Sequence, residues 1–138
     1  VGDGRCPPVG GPFDRVLVDV PCSALGVLAR YPEIRWRPEP DFAELSALQA
    51  ELLAAAAECL RPSGVLVYST CSLEPEENDG VVEAFLRRRR DFELEPASAV
   101  LDCGVAGTFL QTLPHKHGCD GAFAARLRRS PHPSSPDF

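Results

Sequence analysis

Two apolar segments joined by an amphipathic helix constrain the fold of this 138-residue chain more than any other feature. Residues 13–20 (FDRVLVDV) and 64–70 (GVLVYST) contain runs of aliphatic and β-branched residues, which are typical of strands buried on both faces. Between them, apolar residues recur every three or four positions over residues 41–60, which predicts an amphipathic helix that begins at Asp41. Two such strands joined by a helix form a crossover unit, so we expect an α/β fold with a parallel sheet covered by helices.

The remainder of the chain predicts additions to this unit within a single domain. We expect a second helix that is acidic at its start and basic at its end, a short strand, an irregular segment, a final strand and a disordered tail. These segments cover, in chain order, residues 76–90, 92–95, 96–118, 121–127 and 130–138.

The charge balance and the cysteines argue against several classes of function. Fourteen basic against twenty acidic residues give a net charge of −6, so the chain as a whole is not an electrostatic nucleic-acid binder, and any RNA contact must be local or helped by another domain. The six cysteines form no C-x-x-C pair and have no histidine at zinc-ligand spacing, which argues against a metal site and against thiol redox exchange. No apolar stretch approaches the roughly 20 residues of a membrane span, so we expect a cytoplasmic protein with reduced thiols.

Three reactive side chains follow the two predicted strands, at the edge where ligands bind in parallel α/β sheets. The first strand leads into DVPCS, with Asp19 and Cys22, and the second leads into STCS, with Cys71. We expect these three side chains to meet above adjacent strands. The alternative for Asp19 is a carboxylate that caps a turn, and an isolated cysteine is more often a small core side chain. That last interpretation fits the cysteines without a companion motif, which are Cys6, Cys59, Cys103 and Cys119.

Two thiols and an acid are the groups that methylation of cytosine at carbon 5 requires. Carbon 5 is a weak nucleophile, but a thiolate that adds to carbon 6 converts the ring into an enamine whose carbon 5 can attack an electrophilic methyl group. A carboxyl group assists the addition when it protonates or hydrogen-bonds N3, and a base must later remove the carbon 5 proton so that the thiol is eliminated. The predicted cluster contains both kinds of group.

The motifs around these residues resemble the two cysteine signatures of the Nop/Sun family of RNA cytosine-C5 methyltransferases. The signatures are DVPCSALG at 19–26 and YSTCSLEPEEN at 68–78, in the family's order and at its distance, with RYPEIRW at 30–36 between them. GDGR at 2–5 and HGCDGAF at 117–123 also match. Within the family, the resemblance is greatest to the bacterial enzymes that modify 16S ribosomal RNA.

The resemblance implies a Rossmann-like class I methyltransferase fold. Residues 1–129 would be the C-terminal part of that S-adenosyl-L-methionine-dependent domain, with only the second half of its sheet, mostly parallel with an antiparallel last strand. Residues 130–138 would form the disordered tail. The sequence lacks the family's glycine-rich loop after its first strand and the acid at the end of its second strand, which build most of the methyl-donor site.

The resemblance implies catalytic roles for three residues. Cys71 would be the nucleophile that adds to carbon 6, and Cys22 would assist elimination and product release. Asp19 would lie between the methyl donor and the base, where it binds the cofactor region and steadies the cytosine ring.

The sequence after the predicted nucleophile gives it mixed electrostatic support. A helix N-terminus after Cys71 would favour a thiolate. Three glutamates crowd the same helix end and oppose it, namely Glu74, Glu76 and Glu77. We therefore expect the thiol to react mainly because substrate binding aligns it.

Binding roles follow from the same resemblance. Asp3 would accept a hydrogen bond from the adenine amino group of S-adenosyl-L-methionine, the implied cofactor, and the carbonyl of Pro21 would recognise the exocyclic amine of cytosine. Arg30 is a candidate for binding the substrate, which the resemblance implies is ribosomal RNA. For Arg30, Arg35 and Trp36, RNA contact and loop packing are both open.

The first predicted strand lacks a neighbour that it has in the family. We therefore expect residues 16–18 to form an exposed apolar edge that pairs with the missing half of the domain or with another copy of the chain. Such a chain would be marginally stable, would bind S-adenosyl-L-methionine weakly and would turn over little. The alternative to an active enzyme is a truncated, inactive methyltransferase fragment or an RNA-binding module.

Overall fold

The protein is described by a computed structural model over residues 1–131. Its strands are β1 (Phe13–Asp19), β2 (Leu60–Thr70), β3 (Phe92–Glu95), β4 (Leu110–Thr112) and β5 (Ala122–Arg129). Its α-helices are α1 (Phe42–Glu58), α2 (Asp79–Arg88) and α3 (Pro114–His117). Short 3-10 helices cover Leu25–Val27, Pro32–Trp36, Pro75–Glu77 and Ala97–Ala99.

The five strands form one open sheet in the order β1-β2-β5-β3, with β4 also paired to β5. β1 and β2 are parallel, and α1 connects them, so the predicted crossover unit is confirmed. β5 is antiparallel to β2, β3 and β4, which means that the other four strands run in one direction. The predicted mostly parallel sheet with an antiparallel last strand is therefore confirmed.

The predicted start of α1 is confirmed, whereas other predicted boundaries shift in the structure. The carboxylate of Asp41 caps α1, because its Oδ1 accepts a hydrogen bond of 3.0 Å from the backbone N–H of Glu44. The second helix begins at Asp79, since a 3-10 turn occupies Pro75–Glu77. The segment predicted as irregular, 96–118, contains β4 and α3. Most of the predicted tail, residues 132–138, lies outside the described residues.

The core lies between one face of the sheet and the two long helices. On the two central strands, fully buried residues alternate with less buried ones. The buried residues face each other across the strands, with Leu66 opposite Leu127 and Tyr68 opposite Ala125. Leu53 of α1 and Val82 of α2 belong to the same buried cluster, which is completed by Ala57, Leu60, Phe85, Phe92 and Phe123 among others.

The prediction that β1 is buried on both faces is wrong, because β1 is the edge strand of this sheet. Val16 and Val18 pack partly against the core, whereas Leu17 points away from it and is 68% exposed. A local run of apolar residues specifies a strand but does not specify whether a further strand or helix covers it. The predicted exposed apolar edge at residues 16–18 is confirmed.

Candidate active site

The two cysteine loops leave neighbouring strands at the same edge of the sheet. Asp19 at the end of β1 pairs with Ser69 near the end of β2, so the residues that follow them emerge side by side. Cys22 and Cys71 lie three and two positions beyond this pair, and their Sγ atoms are 3.1 Å apart. The structure thus brings together the two thiols that the sequence places after separate strands.

The thiol of Cys22 lies in a partly buried position. Burial, followed by the hydrogen bond with Cys71, raises the pKa of Cys22 from its ordinary value of 9.0 to about 12. Burial has this effect because it disfavours the charged thiolate. Cys22 therefore keeps its proton at neutral pH and can donate it to the sulfur of Cys71.

One buried carboxylate links the two cysteine loops to helix α1. Oε1 of Glu77 accepts hydrogen bonds of 2.9 Å from the backbone N–H of Ser23 and from Nε2 of Gln49. Its Oε2 accepts hydrogen bonds from the hydroxyl groups of Ser23, at 2.6 Å, and Ser72, at 2.5 Å. Because Ser23 follows one reactive cysteine and Ser72 follows the other, Glu77 fixes the position of both loops.

Further hydrogen bonds hold the segment that follows Cys71. Oδ1 of Asn78 accepts from the hydroxyl of Thr70 at 2.6 Å, and its Nδ2 donates to the carbonyl of Ser72 at 3.1 Å. The hydroxyl of Tyr68 donates to the carbonyl of Glu77 at 2.6 Å. Burial raises the pKa of Tyr68, which keeps this hydroxyl protonated as a donor.

Two glycines allow the backbone around Cys71 to pack closely. The N–H of Gly26 donates to the carbonyl of Cys71 at 2.9 Å, and the N–H of Gly121 donates to the carbonyl of Gly26 at 2.7 Å. A Cβ on Gly26 would lie 2.6 Å from the carbonyl oxygen of Cys71 and 2.5 Å from that of Gly121. Gly26 of the DVPCSALG motif and Gly121 of the HGCDGAF motif are therefore required by contact between these loops.

Asp19 lies at the same sheet edge but opens onto a different cavity from Cys22. Its Oδ1 accepts a hydrogen bond of 2.7 Å from the hydroxyl of Ser69. It lines an apolar cavity of about 450 Å³ together with Gly4 and Pro21. Asp19 and Cys22 thus line separate cavities, and the expected meeting of the carboxylate with both thiols stays a prediction.

The predicted cofactor residue Asp3 lies next to the Asp19 cavity. It is exposed, and hydrogen bonds from the side chain and then the backbone of Arg5 hold the pKa of its carboxyl group below the ordinary value. Asp3 lines a cavity of about 910 Å³ that shares Gly4 and Pro21 with the Asp19 cavity. The two carboxylates therefore line adjoining cavities.

The two predicted substrate-binding residues have partners within the chain. The carbonyl of Pro21 accepts a hydrogen bond of 2.9 Å from Nε2 of Gln49. Arg30 forms an ion pair of 2.7 Å with Asp120, although its side chain is 66% exposed. Arg30 therefore contacts the loop of Asp120 while most of its side chain stays accessible to solvent.

Sequence reasoning missed the residues that position the thiols. Glu77 was predicted to crowd a helix end with Glu74 and Glu76, but its side chain is completely buried among donors from Ser23, Ser72 and Gln49. The available signal was the repeated Cys-Ser pair, in which each serine contacts the same carboxylate.

The described residues also bear on two classes of site, metal sites and membrane spans. Within residues 1–131, no cluster of three or more His, Cys, Asp or Glu side chains has an arrangement that could hold a metal ion. Over the same residues, no helix has the length and apolar character needed to cross a membrane.

Comparison with known proteins decides between methyltransferase and unrelated thiol chemistry. The model of the family described as "16S rRNA methyltransferase RsmB/F" matches residues 2–128. The chain belongs to this family. The ribosomal RNA small subunit methyltransferase B of Klebsiella pneumoniae (strain 342) is 46% identical to it over 130 residues, which are 91% of the chain and 29% of that protein. The protein of the same description from Yersinia enterocolitica is 43% identical over 131 residues, with 92% and 29% covered.

Solved structures of this methyltransferase family share the fold. NSun6 from Pyrococcus horikoshii, whose crystal structure contains SFG, a SAM analogue, matches with a TM-score of 0.76 and 36% identity. The match covers 93% of the chain and 33% of NSun6. The chain therefore corresponds to part of a methyltransferase domain, and it spans 29% of the length of the curated relatives it matches.

Proposed function

We propose that the chain supplies the thiol-bearing part of an RNA cytosine-C5 methyltransferase that acts on ribosomal RNA. The observation that carries this proposal is the 3.1 Å contact between the Sγ atoms of Cys22 and Cys71, at the carboxyl ends of two parallel strands. Membership of the RsmB/F family supports ribosomal RNA as the substrate.

The roles of the two thiols follow from the resemblance of their motifs to the two family signatures. Cys71 is the nucleophile: its thiol loses its proton to water, its sulfur forms a bond to carbon 6 of cytosine, and the π electron pair of the carbon 5–carbon 6 double bond moves to carbon 5, which becomes nucleophilic. Cys22, whose pKa is raised to about 12, remains a proton donor beside that sulfur. After methylation, carbon 5 loses its proton to water, the carbon 6–sulfur bond breaks, and the Cys22 proton stabilises the departing sulfur.

The residues at the β1 edge fit the adenosine end of S-adenosyl-L-methionine. Asp19 and Asp3 are carboxylates that can accept hydrogen bonds from hydroxyl and amino groups, and the cavity beside Asp19 is mainly apolar, as an adenine ring requires. When bound, the cofactor would supply the methyl group to carbon 5. Asp19 would also steady the cytosine ring, Pro21 would present its carbonyl to the exocyclic amine, and Arg30 would contact RNA once released from Asp120.

A covalent trapping experiment tests the roles of the two thiols. We would place residues 2–128 in the Klebsiella pneumoniae relative in place of its matching segment, and incubate the chimera with unmodified 16S ribosomal RNA and S-adenosyl-L-methionine. Cys22→Ser should accumulate a protein–RNA adduct that survives denaturing electrophoresis, because elimination is impaired. Cys71→Ser and the double variant should form none, because no bond to carbon 6 is made.

The control for this experiment is a substitution at a cysteine outside the site. Cys103 is exposed and lies outside the two cysteine motifs in the sequence, so Cys103→Ser should methylate RNA like the unsubstituted chimera. An adduct in Cys71→Ser but not in Cys22→Ser would exchange the two roles. No adduct in any variant of a folded chimera would overturn the proposed chemistry.

A further inference from the structure

Among residues 1–131, the most exposed aromatic side chain is carried by a segment that also lines the cavity of Cys22. Trp36 is 89% exposed and is the single tryptophan of the sequence. It ends the 3-10 helix Pro32–Trp36, which Ile34 anchors in the protein at only 9% exposure, and the N–H of Arg37 closes that turn on the carbonyl of Ile34 at 3.1 Å. The indole is therefore presented outward on an ordered segment, which excludes loop packing within the described residues as its role.

The two arginines next to Trp36 in the sequence lie in the wall of the Cys22 cavity. Arg35 and Arg37, on either side of Trp36, both line a cavity of about 540 Å³ whose wall also includes Cys22 and Ser23. Both arginines are exposed. Glu39 lines the same cavity, so the two arginines leave this lining with a net charge of +1, a local attraction for phosphate groups in a chain whose net charge is −6.

Unpaired RNA has the chemistry that such a surface recognises. An exposed indole offers a flat apolar face on which any unstacked base can stack, and arginines bind the phosphates between bases. A cytosine must also leave its base stack before its carbon 6 can reach an enzyme's nucleophile, so the nucleotides next to it are partly unstacked.

We propose that Trp36 stacks on an unpaired base next to the target cytosine, while Arg35 and Arg37 bind the adjoining phosphates. The cavity between these side chains and Cys22 then receives the target nucleotide. This inference rests on the proposed function, because it assumes that RNA is the substrate. It adds a binding surface, defined by residues 35–37, that selects single-stranded RNA.

The single tryptophan makes this surface directly observable. A ten-nucleotide single-stranded RNA that contains cytosine is titrated into the 138-residue chain at low salt, and tryptophan fluorescence is recorded. Stacking should quench the emission in a saturable manner, whereas a duplex of the same sequence should quench it little because its bases are already stacked. Heparin, a polyanion without bases, should bind without quenching.

Variants separate stacking from charge, with binding measured by the anisotropy of dye-labelled RNA. Trp36→Ala should weaken binding about 5- to 150-fold, the range for loss of one base–aromatic stack, and Trp36→Phe should retain most of the affinity. Arg35→Gln and Arg37→Gln should each make binding less dependent on salt, with the magnitude of the slope of log affinity against log salt reduced by about 0.7. Leu101→Ala is the matched control, since Leu101 is an exposed apolar residue that does not line this cavity, and it should bind like the unsubstituted chain.

The outcomes distinguish failure of this surface from failure of the proposed function. If Trp36→Ala binds RNA within twofold of the unsubstituted chain, or if RNA leaves the fluorescence unchanged, the stacking role is wrong while RNA remains the substrate. Quenching that depends on protein concentration without RNA would instead assign Trp36 to contact between copies. If the unsubstituted chain binds no RNA at low salt, the surface is also wrong, and the trapping experiment decides separately whether cytosine methylation stands.

Discussion

The junction of the two cysteine loops and the edge formed by β1 differ in how far the chain itself determines their structure. At the junction, Glu77 is completely buried and accepts four hydrogen bonds from groups on two loops and a helix. At the edge, Leu17 is 68% exposed, and Asp19 and Asp3 face open cavities. The difference separates the two halves of the proposed reaction: contacts within the chain fix the thiols, whereas the methyl-donor side stays open to a further surface.

The largest expected effect is the loss of the carboxylate that organises the junction. Glu77→Ala leaves the hydroxyl groups of Ser23 and Ser72 and the amide of Gln49 buried without their acceptor, which should lower the free energy of unfolding by roughly 3–5 kcal/mol. Glu77→Gln keeps the shape of the side chain but points its N–H groups at other donors. Its free energy of unfolding should therefore lie between that of Glu77→Ala and that of the unsubstituted chain. Urea denaturation followed by circular dichroism measures these differences.

The control for this prediction is the neighbouring glutamate. Glu76 is exposed, so Glu76→Ala should change stability by less than about 0.5 kcal/mol. Equal stability of Glu77→Ala and Glu76→Ala would show that the junction is no better determined than the β1 edge.

The next expected effect concerns the proton on Cys22. Alkylation requires a thiolate, and a rise in pKa from 9.0 to about 12 reduces the thiolate fraction at pH 8 about 1000-fold, which the greater nucleophilicity of a more basic thiolate partly offsets. Cys22 should therefore react with iodoacetamide roughly 50-fold more slowly in the folded chain than in urea. Peptide mapping by mass spectrometry measures this ratio.

The exposed cysteines provide an internal reference for the same experiment. Cys6 and Cys103 are exposed, so their rates should change little between folded and unfolded chain. Because the pKa of Cys22 is raised on folding, its contribution to stability is present below pH 9 and is lost as pH rises towards 12. Rapid alkylation of Cys22 at pH 8 in the folded chain would contradict its role as the proton-holding thiol.

The sequence was sufficient to predict features that depend on local pattern and on strand direction. The cap of α1 at Asp41 follows from a carboxylate before an amphipathic run, and the approach of Cys22 to Cys71 follows from two parallel strands that end at one edge. The family signatures were also readable, since they are contiguous. These features require no knowledge of which distant side chains meet.

The sequence was not sufficient where burial is decided by distant partners. Glu74, Glu76 and Glu77 are close in sequence, yet Glu77 is the one that Ser23, 54 positions away, and Gln49, 28 positions away, enclose with hydrogen bonds. The prediction that β1 is buried on both faces was wrong for the same physical reason, because the residues of a strand do not reveal which other elements cover it.

The smallest expected effect is association through the β1 edge. An unpaired edge strand with an exposed leucine favours pairing with another strand, so the chain should form concentration-dependent dimers in sedimentation velocity. Leu17→Lys places a charge on that strand and should weaken dimerisation about 10-fold, equivalent to roughly 1.4 kcal/mol. Val100→Lys is the matched control, since Val100 is also exposed but lies outside the strands, and its dimerisation should match that of the unsubstituted chain. If Leu17→Lys dimerises as strongly as the unsubstituted chain, or if both are monomers at every concentration, copies of the chain do not associate through β1. The exposed edge of β1 would then serve only the methyl-donor side of the proposed reaction.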